Sequence, residues 1–278
     1  MANDTKIEFS LDCELLWGMA PGVGSHYIKH NVGNAQKSLF RIIESWDGCL
    51  SLLSLAFVSK SLDDVEINPV DVLGLENAGY SDFIGDKYLK YPSSTIEELV
   101  AINNNFVLGI HSYSHKLYTD LTNDELIDEV DNVLNFVSVK PQYKGIFVYP
   151  KNLADLYSLN VYLGAFTSVR VNSKSWLYRS NKEGVSKIRR VLRYMDSFVP
   201  IFELCCNKSP EIKGDNIIVG THFFRANLSP FLLYIHYFRL CLGREVMRFM
   251  GYKMHVWSHP HNFANNQLAI SLFRKLAG

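Results

Sequence analysis

The sequence predicts an α/β fold built from parallel β/α units. Strand-like and helix-like segments alternate along the whole chain, and no internal repeat or low-complexity linker divides it. The 278 residues are long for an ordinary domain, but a single β/α barrel reaches this size and can bury a large core. We therefore predict one domain over residues 1–278.

The first half of the chain supplies three predicted strands. Residues 6–12 alternate between polar and apolar side chains as a first strand, and residues 35–46 then show helical periodicity. The apolar run 50–58 predicts a second, buried strand. A third strand ends at His111.

The second half continues the alternation. Thr122, with Glu125 three residues later, has the form of a capping box that opens a helix to about Val137. A long amphipathic helix is predicted over 229–250, and a closing helix ends the chain. The strands predicted in this half are 145–148, 162–169, 217–219 and 252–258.

Composition excludes several classes of function. The net charge is zero, with 28 basic and 28 acidic residues, which gives no electrostatic reason to expect nucleic acid as a partner. No apolar run is long enough to cross a bilayer, although the aromatic-rich segment 223–249 is compatible with peripheral membrane contact. Five cysteines without paired spacing, and no signal-peptide pattern, lead us to expect reduced thiols and a cytoplasmic location.

The stretch 106–115 carries the most informative motif. An apolar run ends at His111, and His115 follows four residues later. Two imidazoles at a strand end can bind one divalent metal ion when a carboxylate completes the ligand set. The other histidine pairs with the same spacing are His26/His30 and His255/His259. Context rather than spacing therefore singles out the first pair as a predicted metal site.

Polar residues also follow the first and last predicted strands. Asp12 and Glu14 are two residues apart, so a strand places both carboxylates on one face. Such a pair suits a metal ligand plus a general base, or a glycosidase, which would leave the histidines unused. His259 ends the last strand, and Pro260 stops further pairing there. Because active sites of β/α barrels form at the carboxyl ends of strands, we expect these groups to meet.

These motifs resemble those of the NodB-homology polysaccharide deacetylases. The chain is most similar to the subgroup found with genes for O-antigen (lipopolysaccharide) and other surface-glycan biosynthesis. The resemblance implies a distorted (β/α)7 barrel and metal-dependent removal of an N- or O-acetyl group from a sugar. It runs from about residue 7 to residue 263. The matching elements are Asp12-Cys13-Glu14, His111-Ser112-Tyr113-Ser114-His115, Val148-Tyr149-Pro150 and His259-Pro260.

The resemblance also implies a role for each matching residue. Asp12 would be the general base, and Glu14, His111 and His115 the metal ligands. His259 would be the general acid. From the residues alone, Asp12 and Glu14 could exchange roles. A set of nitrogen and oxygen ligands suits zinc best, but it also accepts cobalt, nickel or iron.

The chain departs from the family pattern around Pro150. The family has an arginine two positions before this proline, where it holds the base carboxylate, and Val148 stands there instead. Lys151 or Arg170 could supply the positive charge, because each follows or ends a predicted strand at the same edge. The family's aromatic residue after the proline is also missing, and Tyr149 precedes the proline instead.

Several rings are candidates for contact with a sugar, although aromatic residues pack protein cores equally often. The implied substrate is an acetylated sugar on a nucleotide, a lipid carrier or an oligosaccharide. The alternative is a family member that has lost efficient catalysis and acts as a sugar-binding or scaffolding component of glycan assembly. His261 could also assist or replace His259 as the acid. The candidate substrate contacts are Trp17, Tyr113, Tyr149, Trp176 and His261.

Overall fold

The architecture comes from a computed structural model of the chain. The predictions for Glu14, Trp17, His26 and His30 fall outside the residues that it describes. The described residues are 8–13, 34, 37–44, 49–53, 101–103, 107–173, 175–178, 186–205, 216–220, 222–250, 253–263 and 266–277.

A parallel β-sheet forms the centre of the fold. Every strand pair in it is parallel, which confirms the predicted arrangement of β/α units. The order of strands across the sheet is β6-β5-β4-β3-β2-β1-β8-β7. The strands are β1 (Glu8–Cys13), β2 (Cys49–Leu53), β3 (Val107–His111), β4 (Ile146–Val148), β5 (Ser168–Asn172), β6 (Ile217–Gly220), β7 (His222–Phe223) and β8 (His255–Ser258).

The sheet is strongly curved. Arg170 on β5 contacts Asp12 on β1 although three strands lie between them, whereas a flat sheet would separate the two by roughly 19 Å. The edge strands β6 and β7 belong to one run of chain, with only residue 221 between them. The first half of this run pairs with β5 and the second half with β8. One run of chain therefore pairs with both edges of the described sheet.

Helices lie between and after the strands. The predicted capping box is confirmed, since Thr122 N–H donates to Glu125 Oε2 at 2.9 Å and Glu125 N–H donates to Thr122 Oγ1 at 3.4 Å. Residues 37–43 are also helical. The remaining helices are α1 (Asn123–Val139), α2 (Leu156–Ala165), α3 (Lys187–Met195), α4 (Ile201–Cys205), α5 (Pro230–Phe249), α6 (Pro260–Phe263) and α7 (Gln267–Ala277).

The strand predicted over 162–169 is wrong in its first part. Asp155 caps a helix there, because its side chain accepts hydrogen bonds from the backbone N–H groups of Tyr157 and Ser158. That helix runs to Ala165, and β5 begins only at Ser168. A short apolar run suits a buried helix as well as a strand, and here the cap decides between them.

Helix α5 carries apolar side chains on two faces. One face packs into the core, as predicted, while the other exposes several large apolar residues. Among the helices that the structure describes, none is long and apolar enough to cross a membrane. Contact with a membrane surface stays a prediction. The buried residues are Leu233, His236, Arg239, Leu240, Gly243 and Met247, and the exposed ones are Phe231, Tyr234, Phe238, Leu242 and Phe249.

Candidate active site

The loop after β3 brings the two predicted metal-binding histidines together. His111 ends the strand and is buried, and the chain then turns sharply, with Ser112 at φ 66° and His115 at φ 60°. These left-handed conformations are costly for residues other than glycine and cluster at functional sites. The Ser112 hydroxyl accepts a hydrogen bond from His115 N–H at 2.8 Å. As a result, the imidazole rings of His111 and His115 lie 5.0 Å apart, centre to centre.

Glu129 of α1 holds this loop from behind. Its buried carboxylate accepts hydrogen bonds from the backbone N–H groups of Tyr113 at 2.6 Å and Ser114 at 3.0 Å, and from the Tyr118 hydroxyl at 3.2 Å. A carboxylate that accepts several hydrogen bonds fixes the backbone around it. The shape of the histidine loop is therefore set by a residue of the following helix, which no sequence motif singles out.

The orientation of His111 is set by Val148. The backbone carbonyl of Val148 lies 2.9 Å from His111 Nδ1 and can only accept, so Nδ1 carries the proton. The Nε2 lone pair of the neutral ring is then the one available to a metal. This is the usual second contact of a metal-binding histidine.

Asp12 forms a buried, bidentate ion pair with Arg170. Arg170 Nη1 donates to Asp12 Oδ1 at 2.8 Å, and Nη2 donates to Oδ2. Each residue is only 1% exposed. Burial raises the pKa of Asp12, but the charges of Arg170, His111 and His259 outweigh it and bring the pKa below its ordinary value. Asp12 is therefore a carboxylate at neutral pH, within the electrostatic influence of both His111 and His259.

Further contacts hold Arg170 in place. Nε donates to Asn152 Oδ1 at 2.8 Å, Nη1 donates to Ser10 Oγ at 2.6 Å, and the guanidinium lies 5.1 Å from the centre of the Trp257 ring. Ser10 could have been found from sequence, because it is two residues before Asp12 and faces the same way. Asn152 could not, because its side chain is aimed by a φ of 57° that no pattern predicts.

The guanidinium beside Asp12 comes from β5, whereas the family pattern places it on the adjacent strand β4. Val148 of β4 and Arg170 of β5 are register partners in the sheet. Of the two predicted sources of charge, Arg170 contacts Asp12. Lys151 is exposed, with φ 52°, and no hydrogen bond joins it to another described residue.

His259 and His261 stack on each other just after β8. Their rings are 4.9 Å apart and nearly parallel, at 14°. His259 is partly exposed and lines a cavity of about 470 Å³, whereas His261 is buried behind it. Asn262 Nδ2 lies 3.2 Å from His259 Nδ1. The geometry thus presents His259 to a ligand, with His261 as its support.

Trp17 lies outside the described residues, and the other predicted sugar contacts differ in their exposure to solvent. Tyr149 is fully buried in an aromatic cluster and its hydroxyl lies 3.0 Å from Ser158 Oγ, so its placement is that of a core residue and corrects the prediction. Tyr113 is buried as well, while Trp176 is 51% exposed. Among the described residues that line the cavity, Trp257 is the only tryptophan, and the sequence analysis did not single it out.

The described residues contain no group of three histidine, cysteine, aspartate or glutamate side chains that could hold a metal ion. Glu14, the predicted third ligand, is outside them. The metal site therefore stays a prediction, supported by the proximity of His111 and His115.

Comparison with solved structures identifies the fold. A candidate polysaccharide deacetylase from Mycobacterium smegmatis superposes with a TM-score of 0.51 at 10% identity, over 99% of this chain and 84% of that one. A family 4 carbohydrate esterase from Streptomyces lividans, in complex with acetate, gives a TM-score of 0.38 at 10% identity, over 98% and 88%. No family model and no curated protein matches the sequence. The first of these superpositions and the parallel sheet confirm the predicted α/β fold, whereas closure into the expected seven-stranded barrel stays a prediction.

Proposed function

We propose that the protein is a metal-dependent hydrolase that removes an N-acetyl or related acyl group from a sugar. The observation that carries this proposal is the position of Asp12. Its carboxylate is paired with Arg170, whose guanidinium lies 5.1 Å from the Trp257 ring, and the centre of that ring is 5.4 Å from that of His259. The charges of both His111 and His259 act on the Asp12 carboxylate. A base, a pair of potential metal ligands and an acid are the groups that amide hydrolysis needs.

Two of the described residues suit a divalent metal, and the predicted third ligand, Glu14, lies outside the described residues. His111 offers Nε2 because its Nδ1 is occupied by the Val148 carbonyl, and His115 lies beside it. Both Asp12 oxygens are bonded to Arg170, so the Glu14 carboxylate would complete the set, with zinc favoured over cobalt, nickel or iron. When bound, such an ion would polarise the acyl oxygen and make a bound water more acidic.

The protein's own groups would move the protons. Asp12 would take a proton from the attacking water, and the Arg170 guanidinium would keep that carboxylate charged and fixed. His259, which lines the cavity, would give a proton to the departing amine nitrogen, a poor leaving group without it. His261 would hold the His259 ring in its stacked position.

The metal is tested by elemental analysis of the purified protein. We expect about one equivalent of a divalent transition metal, lost in the His111→Ala/His115→Ala variant because both ligands are gone. The matched control is His26→Ala/His30→Ala, a pair with the same spacing, which should keep its metal. Equal metal content in the first variant and the wild type would defeat the site.

The base is tested by Asp12→Asn. We expect the variant to keep its metal and to lose acetate release from N-acetylated sugars by at least ~10²-fold, the scale for removing a general base. Metal content and acetate are measured on the same preparation. Unchanged turnover would assign the base to another group, with Glu14 the first to examine.

The alternative of a catalytically weakened, sugar-binding or scaffolding protein rested on the missing arginine. The Arg170 contact with Asp12 weakens that motivation, because a guanidinium stands beside the carboxylate after all. Measurable acetate release would end this alternative. A role in O-antigen assembly, the sugar's carrier and a cytoplasmic location stay predictions.

A further inference from the structure

We propose that the cavity beside His259 binds a phosphate group of the substrate, so that the substrate is a phosphorylated acyl sugar rather than a neutral oligosaccharide. This inference rests on the proposed function, since it places the reacting acyl group at His259. In addition to the acyl group, the protein would recognise the phosphate of the substrate by its charge.

The cavity carries an excess of positive charge. The basic residues that line it are Lys151, Arg193, Arg225 and Arg239. Asp196 is the only carboxylate among the described lining residues, and it pairs with Arg239 at 2.8 Å. No carboxylate in the described part of the chain forms an ion pair with Lys151 or Arg225. An anion would supply the counter-charge.

Arg225 is held as an anion-binding group. Its Nε donates to Ser197 Oγ, and its guanidinium lies between two rings, 5.6 Å from the centre of Tyr194 and 5.8 Å from that of Phe223. Within the described residues, neither terminal nitrogen of Arg225 donates a hydrogen bond. A planar guanidinium fixed in this way can make two parallel hydrogen bonds to a phosphate with little further loss of entropy.

Arg193 reaches the cavity from α3 in a similar way. Its Nε donates to the Leu177 carbonyl at 2.7 Å, and its guanidinium lies over the Tyr178 ring at 5.4 Å. Both arginines are thus held by Nε and an aromatic face, whereas Lys151 is a more mobile point charge at the rim. The fixed guanidinium groups of Arg193 and Arg225, together with the flexible Lys151 ammonium, suit the binding of a phosphate or diphosphate.

The anion site and His259 share one ligand space. All three residues line the same cavity, and the Phe223 ring is 5.8 Å from the Arg225 guanidinium and 5.7 Å from the His259 imidazole. The volume of about 470 Å³ is within the range of small-molecule sites. A single sugar with its phosphate could therefore contact both ends, with Trp257 available to stack on the sugar ring.

Binding is tested without any catalysis. Inorganic pyrophosphate is titrated into the metal-loaded protein by calorimetry. We expect saturable 1:1 binding in the wild type and at least ~10-fold weaker binding in Arg225→Gln, the scale for losing charged hydrogen bonds. Arg248→Gln removes an exposed arginine of α5 that lies near Glu245, and it should bind as the wild type does. Lys151→Gln, at an exposed position, gives a second variant with little risk to folding.

Assays of acetate release then distinguish failure of the anion site from failure of the proposed deacetylase activity. Acetate release is compared for UDP-N-acetylglucosamine and for neutral diacetylchitobiose, and we expect Arg225→Gln to raise KM for the first only. Arg225-dependent pyrophosphate binding without acetate release from either sugar would leave the anion site standing and sink the deacetylase. Acetate release from the neutral sugar alone, without pyrophosphate binding, would do the reverse.

The same chemistry could come from a nucleotide or from a lipid phosphate. Competition by UDP in solution, and sedimentation with phosphatidylcholine vesicles with and without a polyprenyl phosphate, distinguish these sources. Binding to either, weakened by Arg225→Gln and not by Arg248→Gln, supports the site. Binding to neither rules out both sources of the phosphate, and equal binding of pyrophosphate by all variants overturns the site.

Discussion

A buried charge needs a partner at the same depth, and Asp12 on β1 has one from β5, across the curved sheet. Val148 lies where the family places its arginine, and its side chain is fully buried while its carbonyl orients His111. Arg170, its register partner on β5, supplies the guanidinium. The chain thus holds a charged pair at Asp12, while the backbone of Val148 orients His111.

The Arg170→Met variant tests this pairing by stability. Removing one partner leaves Asp12 as an uncompensated buried charge, so we expect the free energy of unfolding to fall by about 3–5 kcal/mol. Adding Asp12→Asn should recover part of the loss, because the remaining side chain is neutral. Urea unfolding of both single variants and the double variant measures this coupling. Simply additive losses would show that the two side chains do not stabilise each other.

Sequence reasoning narrows the source of the charge to Lys151 or Arg170 but cannot choose between them. The choice depends on the register of β4 against β5 and on the curvature of the sheet, which are set by long-range packing. The contact with Ser10 could have been predicted, because strand alternation places Ser10 on the same face as Asp12. The support of the histidine loop by Glu129 depends on how α1 docks, so local patterns could not predict it.

At the scale of elements, Gly243 of α5 allows a buried ion-pair network to approach the helix. A Cβ atom at this position would lie 2.2 Å from Glu203 Oε1 and 3.1 Å from Arg239 Nη1. Glu203 accepts hydrogen bonds from Arg239, and its Oε1 lies 2.9 Å from His222 Nε2. The close approach of helix and network therefore requires a residue without a side chain.

Gly243→Ala should destabilise the protein by about 1–3 kcal/mol, because the methyl group would displace a buried carboxylate. The matched control is Gly164→Ala in α2, which is exposed and has nothing within 4 Å of the added Cβ. There the gain in helix propensity should stabilise by roughly 0.5–1 kcal/mol. Both are measured by chemical denaturation. Equal effects of the two substitutions would contradict the role of the network.

Elements with local signals could be predicted from the sequence, and elements without them could not. The Thr122 capping box is formed by residues three positions apart, and it is found as predicted. The cap of the helix that ends at Ala165 is Asp155, which lies before the segment 162–169, so the segment taken by itself was assigned to a strand. The two-residue β7 is defined only by its pairing with β8.

At the scale of the whole molecule, the site is a consequence of sheet curvature. Asp12, His111 and Arg170 lie on β1, β3 and β5, and His259 follows β8. The alternation of segments predicts parallel strands, but not the order in which they pair or the way the sheet curls. The resemblance to a known family supplied that expectation, and the superposition on a solved structure supports it.

The molecule as a whole should lose stability as the pH falls below neutrality, because several of its histidines are buried as neutral rings. Burial is the main cause that lowers the pKa of His222, His236 and His255, and for His236 the value falls to about 4. His236 Nε2 accepts a hydrogen bond from Arg225 N–H at 3.1 Å, while Nδ1 lies 2.7 Å from the Ser197 carbonyl. Protonating Nε2 would break the first of these contacts.

The direction of this pH dependence follows from the number of protons bound by the folded and the unfolded protein. Between pH 6.5 and about 4, the unfolded chain carries a proton on His236 that the folded protein does not. The free energy of unfolding therefore decreases as the pH is lowered through this range. The loss from His236 alone is about 3 kcal/mol at roughly 1.4 kcal/mol per pKa unit. Urea unfolding at several pH values measures it, and His236→Gln should reduce the slope because glutamine does not titrate. An unchanged slope in that variant would mean that His236 takes up its proton in the folded state as readily as in the unfolded chain.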